Sequence, residues 1–331
     1  MTRRRTGTLA VEDLKVYYDT PEGVVKAVDG VSFVLKPGER LALVGESGSG
    51  KSTLAMALMR LTRAPGRIAG GRVLLDDVDL LRLNTQDMRN HRLRDIALIP
   101  QGAMNSLNPV MRTGDQIIDG IVDHVGDDGQ QPSKTALREK VRSLLGRVGL
   151  APQVARMFPH ELSGGMKQRV AMAIAISLDP LVIVADEPTS ALDVIVQRQI
   201  MQTLGQLQEG LVASVVLIGH DMGLVAQFAH KVGVMYAGKL VELADVRQIF
   251  RDPLHPYTRL LIQSLPNLES KKKFLGIPGL PPTLLHLPQG CAFHPRCPAV
   301  IKGQCDSVPP VWGEIRRGQL VACHLYTETK S

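Results

Sequence analysis

LALVGESGSGKSTLAMALMRL, residues 41–61, is the stretch from which the rest of the chain is best read. It opens with an apolar run of strand character, LALVG at 41–45. GESGSGKS at 45–52 then satisfies G-x-x-x-x-G-K-[ST], and STLAMALMRL has helical composition. Strand, glycine-rich loop and helix in that order form a phosphate cradle. Gly48 and Gly50 permit backbone conformations in which successive N–H groups point at phosphate oxygens, and the positive end of the following helix adds to that field. Lys51 has the reach for the β- and γ-phosphates, and the Ser52 hydroxyl can hold Mg²⁺. A glycine-rich loop with an incidental lysine is the bland alternative, and the strand–loop–helix context argues against it. The expected nucleotide is ATP. Its expected contacts here are Gly45, Glu46, Ser47, Gly48, Ser49, Gly50, Lys51, Ser52 and Thr53.

Outward from this loop, apolar runs with strand character recur at 96–99 (IALI), 181–185 (LVIVA), 214–219 (SVVLIG) and 231–236 (KVGVMY). Segments of helical spacing lie between them, at 134–149, 164–178, 193–208 and 222–229. Alternating strands and helices predict an α/β phosphate-loop core with a mostly parallel sheet covered on both faces. Residues 102–178 carry few strand signals and read as a helical insertion. Beyond 250 the texture changes. Pro253, Pro256, Pro266, Pro278, Pro281, Pro282, Pro288, Pro295 and Pro298 punctuate a stretch with little periodicity. The expected organisation is one ATPase domain at 1–250 and a small loop-rich appendage at 251–331.

LVIVADE at 181–187 is a buried-type strand ending in two adjacent carboxylates, at the edge where open α/β sheets place ligands. Asp186 is expected to hold Mg²⁺ and Glu187 to orient or activate the attacking water. A solvated acidic turn is the plain alternative for either residue alone. Ser163 precedes the helical segment at 164–178 and would cap it, leaving a helix N-terminus that is also an anion site.

The composition excludes other classes. The longest apolar stretches, VAMAIAISL at 170–178 and LVIVA, fall well short of the ~18–20 residues that span a bilayer. The basic start at 3–5 is not followed by the apolar core of a signal peptide, so a cytosolic chain is expected. The net charge of +7 is spread along the chain apart from residues 3–5 and 271–273, so it marks no partner. With aromatics at only 4%, no basic–aromatic tract suggests nucleic acid.

With these elements in view, the chain resembles the ABC ATPase family over about residues 8–250. LSGGM at 162–166, continuing KQR, looks like the family signature, in its expected order between 45–52 and 181–187. The resemblance implies that Ser163, Gly164 and Gly165 face the γ-phosphate of ATP held by a second subunit. It implies further that Gln101 contacts Mg²⁺ and water and couples to membrane subunits. The SALD loop at 190–193, with Asp193, links two ATP sites, and His220 is the switch histidine. Tyr18, or its neighbour Tyr17, stacks on adenine, and an antiparallel N-terminal β subdomain completes the fold. Such an enzyme is an ATPase coupled to transport, at the cytoplasmic face of the membrane.

GESGSGKS, NSLNP at 105–109, LSGGM, HPYT at 255–258 and GCAFHPRCP at 290–298 together resemble the D-type ATPases of bacterial and archaeal di- and oligopeptide importers. The implied partners are a second, homologous ATPase (a heterodimer favoured), two transmembrane permease subunits and, indirectly, an extracytoplasmic solute-binding protein. Two departures stand out. IPQGAMNSLNP lacks the usual phenylalanine before the glutamine and acidic residue after it, and IGHD replaces Thr-His-Asp. Neither removes a catalytic group, and both are compatible with another cargo such as an oligosaccharide. A soluble ABC ATPase acting on nucleic acid or in iron–sulfur assembly is the remaining alternative.

Cys291, Cys297, Cys305 and Cys323 all fall in the last 41 residues, spaced C-x5-C-x7-C-x17-C. Disulfides are unexpected in the cytosol, and the paired C-x2–4-C knuckles of structural zinc are missing. An iron–sulfur cluster, zinc and free thiols all remain open on the residues alone. The resemblance implies a [4Fe–4S] cluster on the four cysteines.

Overall fold

The computed structural model describes residues 6–102, 106–124, 132–264 and 276–326. The basic residues at 3–5 and 271–273, Pro266, and Asn105 of the NSLNP stretch lie outside them. The chain forms two compact units, neither a continuous stretch: 1–9, 35–39 and 74–218 in one, 10–34, 40–73 and 219–331 in the other.

In the first unit, β6 (Ile96–Ile99), β7 (Val182–Asp186) and β8 (Ser214–Ile218) run parallel with β7 in the middle. Ile96 faces Val182, Val182 faces Ser214, and Asp186 faces Ile218. Every residue of β7 and β8 is buried. This is why they read as unbroken apolar runs: a parallel strand covered on both faces has no polar side to alternate with. Burial of each larger side chain there contributes roughly 1.5–3 kcal/mol. Parallel neighbours need crossovers, and helices supply them. Between β6 and β7 lie α3 (Thr113–Val122), α4 (Lys134–Arg147) and α5 (Gly164–Ala175), in the stretch that reads as a helical insertion with few strand signals. The next crossover is α6 (Val194–Leu211), and the two-residue strand β5 (Val78–Asp79) and α2 (Thr85–His91) precede β6.

In the second unit, β1 (Leu9–Thr20), β2 (Gly23–Leu35) and β4 (Gly66–Leu75) form one sheet in the order β2-β1-β4. The two-residue link Pro21–Glu22 makes β1 and β2 antiparallel. Along β1 the buried positions jump by three between Val11 and Leu14, across Asp13 at φ 46°. The left-handed residue re-phases the strand and keeps Leu14 and Val16 in the core. A second sheet runs β11 (Trp312–Arg316), β12 (Gln319–Ala322), β10 (Lys239–Asp245), β9 (Lys231–Tyr236), β3 (Arg40–Val44). β3 and β9 are parallel and the other pairs antiparallel.

The Pro-rich region beyond 250 is therefore not loop alone: its hairpin β11–β12 extends this sheet, with Leu320 and Val321 facing Leu243 and Glu242. Buried Glu242 ties the same region down. Its Oε1 accepts from the Leu254 N–H (2.8 Å) and Gln319 Nε2 (3.0 Å), and its Oε2 accepts from the His255 N–H (2.9 Å). His255 caps α9 (Pro256–Gln263) through Nδ1, and burial pushes its pKa down to about 3, so the ring is a neutral acceptor. Tyr236, Tyr257 and Phe293 close this side of the core, with ring centroids 4.7–5.3 Å apart. The remaining helices of this unit are α1 (Lys51–Leu58), α7 (Met222–Phe228) and α8 (Val246–Arg251). No helix among the described residues is long and apolar enough to cross a membrane.

Candidate functional site

The phosphate loop lies in the second unit, between β3 and α1. LALV is buried, so the strand end is fixed, and the chain leaves it through Gly48 (φ 78°) and Gly50 (φ 100°). Gly50 caps α1 in the left-handed region, and its carbonyl accepts the first helical bond, from the Leu54 N–H (2.9 Å). Lys51 is 6% exposed, and its Nζ donates to the carbonyls of Gly45 (2.9 Å) and Glu46 (2.8 Å) and to Ser49 Oγ (3.2 Å). The lysine thus sits folded across its own loop, held by neutral oxygens that a phosphate, as a charged acceptor, would outcompete. Ser52 and Thr53 occupy the first turn of α1 behind it.

Glu46 is held by residues far along the chain. Its backbone N–H donates to Tyr257 Oη (2.8 Å), and its carboxylate takes a two-pronged contact from Arg296, Nη1–Oε2 2.7 Å and Nη2–Oε1 2.9 Å. Reading the sequence missed both partners. Tyr257 stood inside HPYT and Arg296 inside GCAFHPRCP, noticed as branch markers with no role attached.

The carboxylates lie in the first unit. Asp186 ends β7 fully buried. Glu187 follows in the left-handed region (φ 44°), its N–H bound to the Ile218 carbonyl (2.9 Å) and its own carbonyl accepting from the Ser190 N–H (3.1 Å). A non-glycine residue held there is strained, and such strain collects where a side chain must be aimed. Gln101 Nε2 donates to Glu187 Oε2 at 3.0 Å, so two of the predicted catalytic residues meet directly. Ser163 caps α5, its Oγ accepting from the Met166 N–H (3.3 Å), with Gly164 and Gly165 in the first turn. Asp193 likewise caps α6, accepting from the Val196 N–H (3.0 Å).

His220 follows the end of β8 by two residues and belongs to the second unit. The next residue, Asp221, caps α7 with bonds from the Gly223 (2.8 Å) and Leu224 (3.0 Å) N–H groups. The two tyrosines differ. Tyr17 donates its hydroxyl to Asp29 (2.7 Å), and its ring faces Lys26 and Arg67. Burial and the Asp29 contact push its pKa up to about 12. The Tyr18 ring instead lies against Gly66, where an added Cβ would come within 2.6 Å of Cε1.

In the tail, Cys305 and Cys323 are buried, Cys291 and Cys297 half-buried, and all four are free of disulfides. The Cys291 N–H donates to the Cys305 carbonyl (2.8 Å), and the His294 ring pairs with the Cys291 carbonyl rather than with a thiol. Burial pushes the Cys323 thiol up to about 11, with charge on Cys291, Cys297 and Cys305 acting in the same direction. Among the described residues, no group of three or more His, Cys, Asp and Glu side chains is placed to hold a metal ion. The expectation of a metal-binding appendage finds no support there.

Comparison with known proteins places these features. Residues 28–190 match the ABC transporter family model, and 241–305 match the C-terminal region of oligopeptide/dipeptide transporters. The chain is 44% identical to the dipeptide transport ATP-binding protein DppD of Caldanaerobacter subterraneus subsp. tengcongensis, over 97% of each chain. It is 43% identical to the oligopeptide transport ATP-binding protein OppD of Salmonella typhimurium, over 95% of this chain and 92% of that one. Among solved structures it resembles the dimeric ATP-binding cassette MJ0796 bound to ADP and phosphate. The TM-score is 0.64 at 28% identity, over 72% of this chain and 99% of that one. The chain belongs to the family of ABC transporter ATP-binding proteins, ATPases whose reaction is coupled to transport.

Proposed function

We propose that this chain is the ATP-hydrolysing subunit of an importer of di- or oligopeptides. The observation that carries the reading is the 40–44% identity, over at least 95% of the chain, to dipeptide and oligopeptide transport ATP-binding proteins. The match of 241–305 to the peptide-transporter C-terminal region supports it. In this reading residues 1–250 are the ATPase domain, with its helical part at about 102–178, and 251–331 the peptide-importer tail.

Each residue then has a task. Tyr18 stacks on adenine, and the N–H groups of the phosphate loop receive the phosphate oxygens, except that of Glu46, which is turned to Tyr257. Lys51 exchanges its loop carbonyls for the β- and γ-phosphates, and Thr53 assists from the first turn of α1. Ser52, Gln101 and Asp186 are the oxygen donors for Mg²⁺, which when bound neutralises charge developing on the phosphates. Their hard oxygen donors suit that ion. Glu187, oriented by Gln101, takes up the proton of the attacking water, and His220 donates to the γ-phosphate. Ser163, Gly164 and Gly165, at the capped end of α5, offer N–H groups and a helix dipole to ATP held by the other subunit. Asp193 joins the two sites. The partners are a second homologous ATPase, two membrane-spanning permease subunits at the cytoplasmic face of the membrane, and indirectly a solute-binding protein outside it. Assembled in liposomes with those subunits, the chain should drive ATP-dependent uptake of labelled di- and oligopeptides. Uptake of an oligosaccharide with no response to any peptide would contradict the cargo class.

A [4Fe–4S] cluster on Cys291, Cys297, Cys305 and Cys323 is a separate proposal about the tail. Four unbridged thiols on one stretch of the second unit support it. Zinc at ~2.3 Å from each sulfur would draw its ligands into one tight group. A cubane takes its thiolates at four outer corners and so spaces them more widely. Protein purified without oxygen should be brown and carry iron and sulfide. Colourless protein with stoichiometric zinc would overturn this.

A further inference from the structure

Glu46 lies in the phosphate loop, yet its side chain and N–H point at the tail. The N–H donates to Tyr257 Oη (2.8 Å), while the carbonyl accepts from Lys51 Nζ (2.8 Å) and the Ser49 N–H (3.2 Å). The carboxylate is gripped by the fork of Arg296. That arginine is itself immobilised. Its side chain is 5% exposed, Nε donates to the Pro278 carbonyl (2.8 Å), and Nη1 also reaches Tyr236 Oη (3.2 Å). The guanidinium stands 5.9 and 6.0 Å from the ring centres of Tyr236 and Phe293. Its backbone is set by the short 3₁₀ turn His294–Arg296, immediately before Cys297. A cavity of about 290 Å³, lined by 46–49 and by Pro281, Pro282, Thr283 and Leu284, places more of the tail over the same side of the loop.

A loop with glycines at 45, 48 and 50 all at positive φ has much conformational freedom to lose when it closes on phosphates. A planar, pre-oriented guanidinium holding its single carboxylate removes part of that freedom beforehand. We propose that Arg296 of the cysteine-bearing tail is a positioning residue for the ATP site, preorganising the phosphate loop through Glu46. The inference rests on the reading that residues 45–52 bind ATP.

The test is the KM for MgATP and kcat of the assembled complex, with MgATP titration of the full-length chain beside it. Arg296→Gln should raise KM and the dissociation constant roughly tenfold, the size expected for a lost charge-assisted pair. The kcat should stay within about twofold, because loop ordering is needed equally in the ground and transition states. Glu46→Gln, which leaves Arg296 its three other partners, should do the same. The double variant should be no worse than either single one, and Arg296→Lys should recover part of the loss. Should Arg296→Gln fail to fold, Glu46→Gln decides alone. Unchanged KM in the folded variants, a loss in kcat alone, or additive losses would each overturn the inference. Lys51→Ala separates the two levels. If it binds MgATP like the unaltered chain, the functional reading itself falls. If it alone loses binding, only the role of Arg296 does.

Discussion

Glu187→Gln should leave MgATP binding intact and reduce hydrolysis in the assembled complex roughly 10²–10³-fold, about 3–4 kcal/mol of transition-state stabilisation. The substitution keeps size and shape, and its amide oxygen can still accept the Gln101 bond that now measures 3.0 Å. The backbone at 187, pinned by the Ile218 carbonyl at φ 44°, has no reason to move. Only the carboxylate is lost, and with it the proposed acceptor for the proton of the attacking water. Binding without turnover is the signature to measure, by nucleotide titration and phosphate release on the same preparation. Hydrolysis at the unaltered rate would remove Glu187 from the catalytic role.

The second large effect is expected at Gly50→Ala. At φ 100° the backbone is outside the range of L-residues, and an added Cβ would lie 2.0 Å from the Ala27 carbonyl oxygen, which is backbone and cannot swing aside. The loop must therefore leave its present path, at a cost of roughly 3 kcal/mol or more. MgATP binding should weaken by at least about 10²-fold. Gly48→Ala is the control within the same loop. At φ 78°, with nothing within 4 Å of the added Cβ, it carries only the left-handed penalty of about 1–2 kcal/mol. Nucleotide titration with circular dichroism on both variants would check the contrast. Equal binding losses would show that the close approach to Ala27 does not shape the loop.

What could be read from the sequence was whatever the chain writes locally. The phosphate loop needs glycines, a lysine and a hydroxyl at fixed spacing, all within eight residues. The strand before Asp186 announces itself because burial on both faces forces an unbroken apolar run. Helix ends were harder. The helix beginning at 164 stops at Ala175, three residues before the apolar stretch ends, and α6 continues past 208 to Leu211. Apolar pattern marks which side is buried, not where the backbone bonds stop.

The tail reads as proline-punctuated loop because its order comes from pairing across distance. β12 lies against β10 some eighty residues earlier, and Arg296 reaches Glu46 across 250 positions. Glu242, unremarkable within KLVELAD at 239–245, is the buried acceptor that fixes the start of HPYT. No periodicity encodes such contacts. The signals available in retrospect were an arginine set among cysteines and a glutamate inside a buried strand.

The proposed transport ATPase has a site complete only when two subunits meet, and the rate of MgATP hydrolysis tests this most directly. Measured for the isolated chain and for the complex of both ATPases with their membrane subunits, hydrolysis should be slow in the first, fast and peptide-dependent in the second. It should be lost from the complex on Glu187→Gln. Full-rate hydrolysis by the isolated monomer, indifferent to the other subunits, would contradict the account.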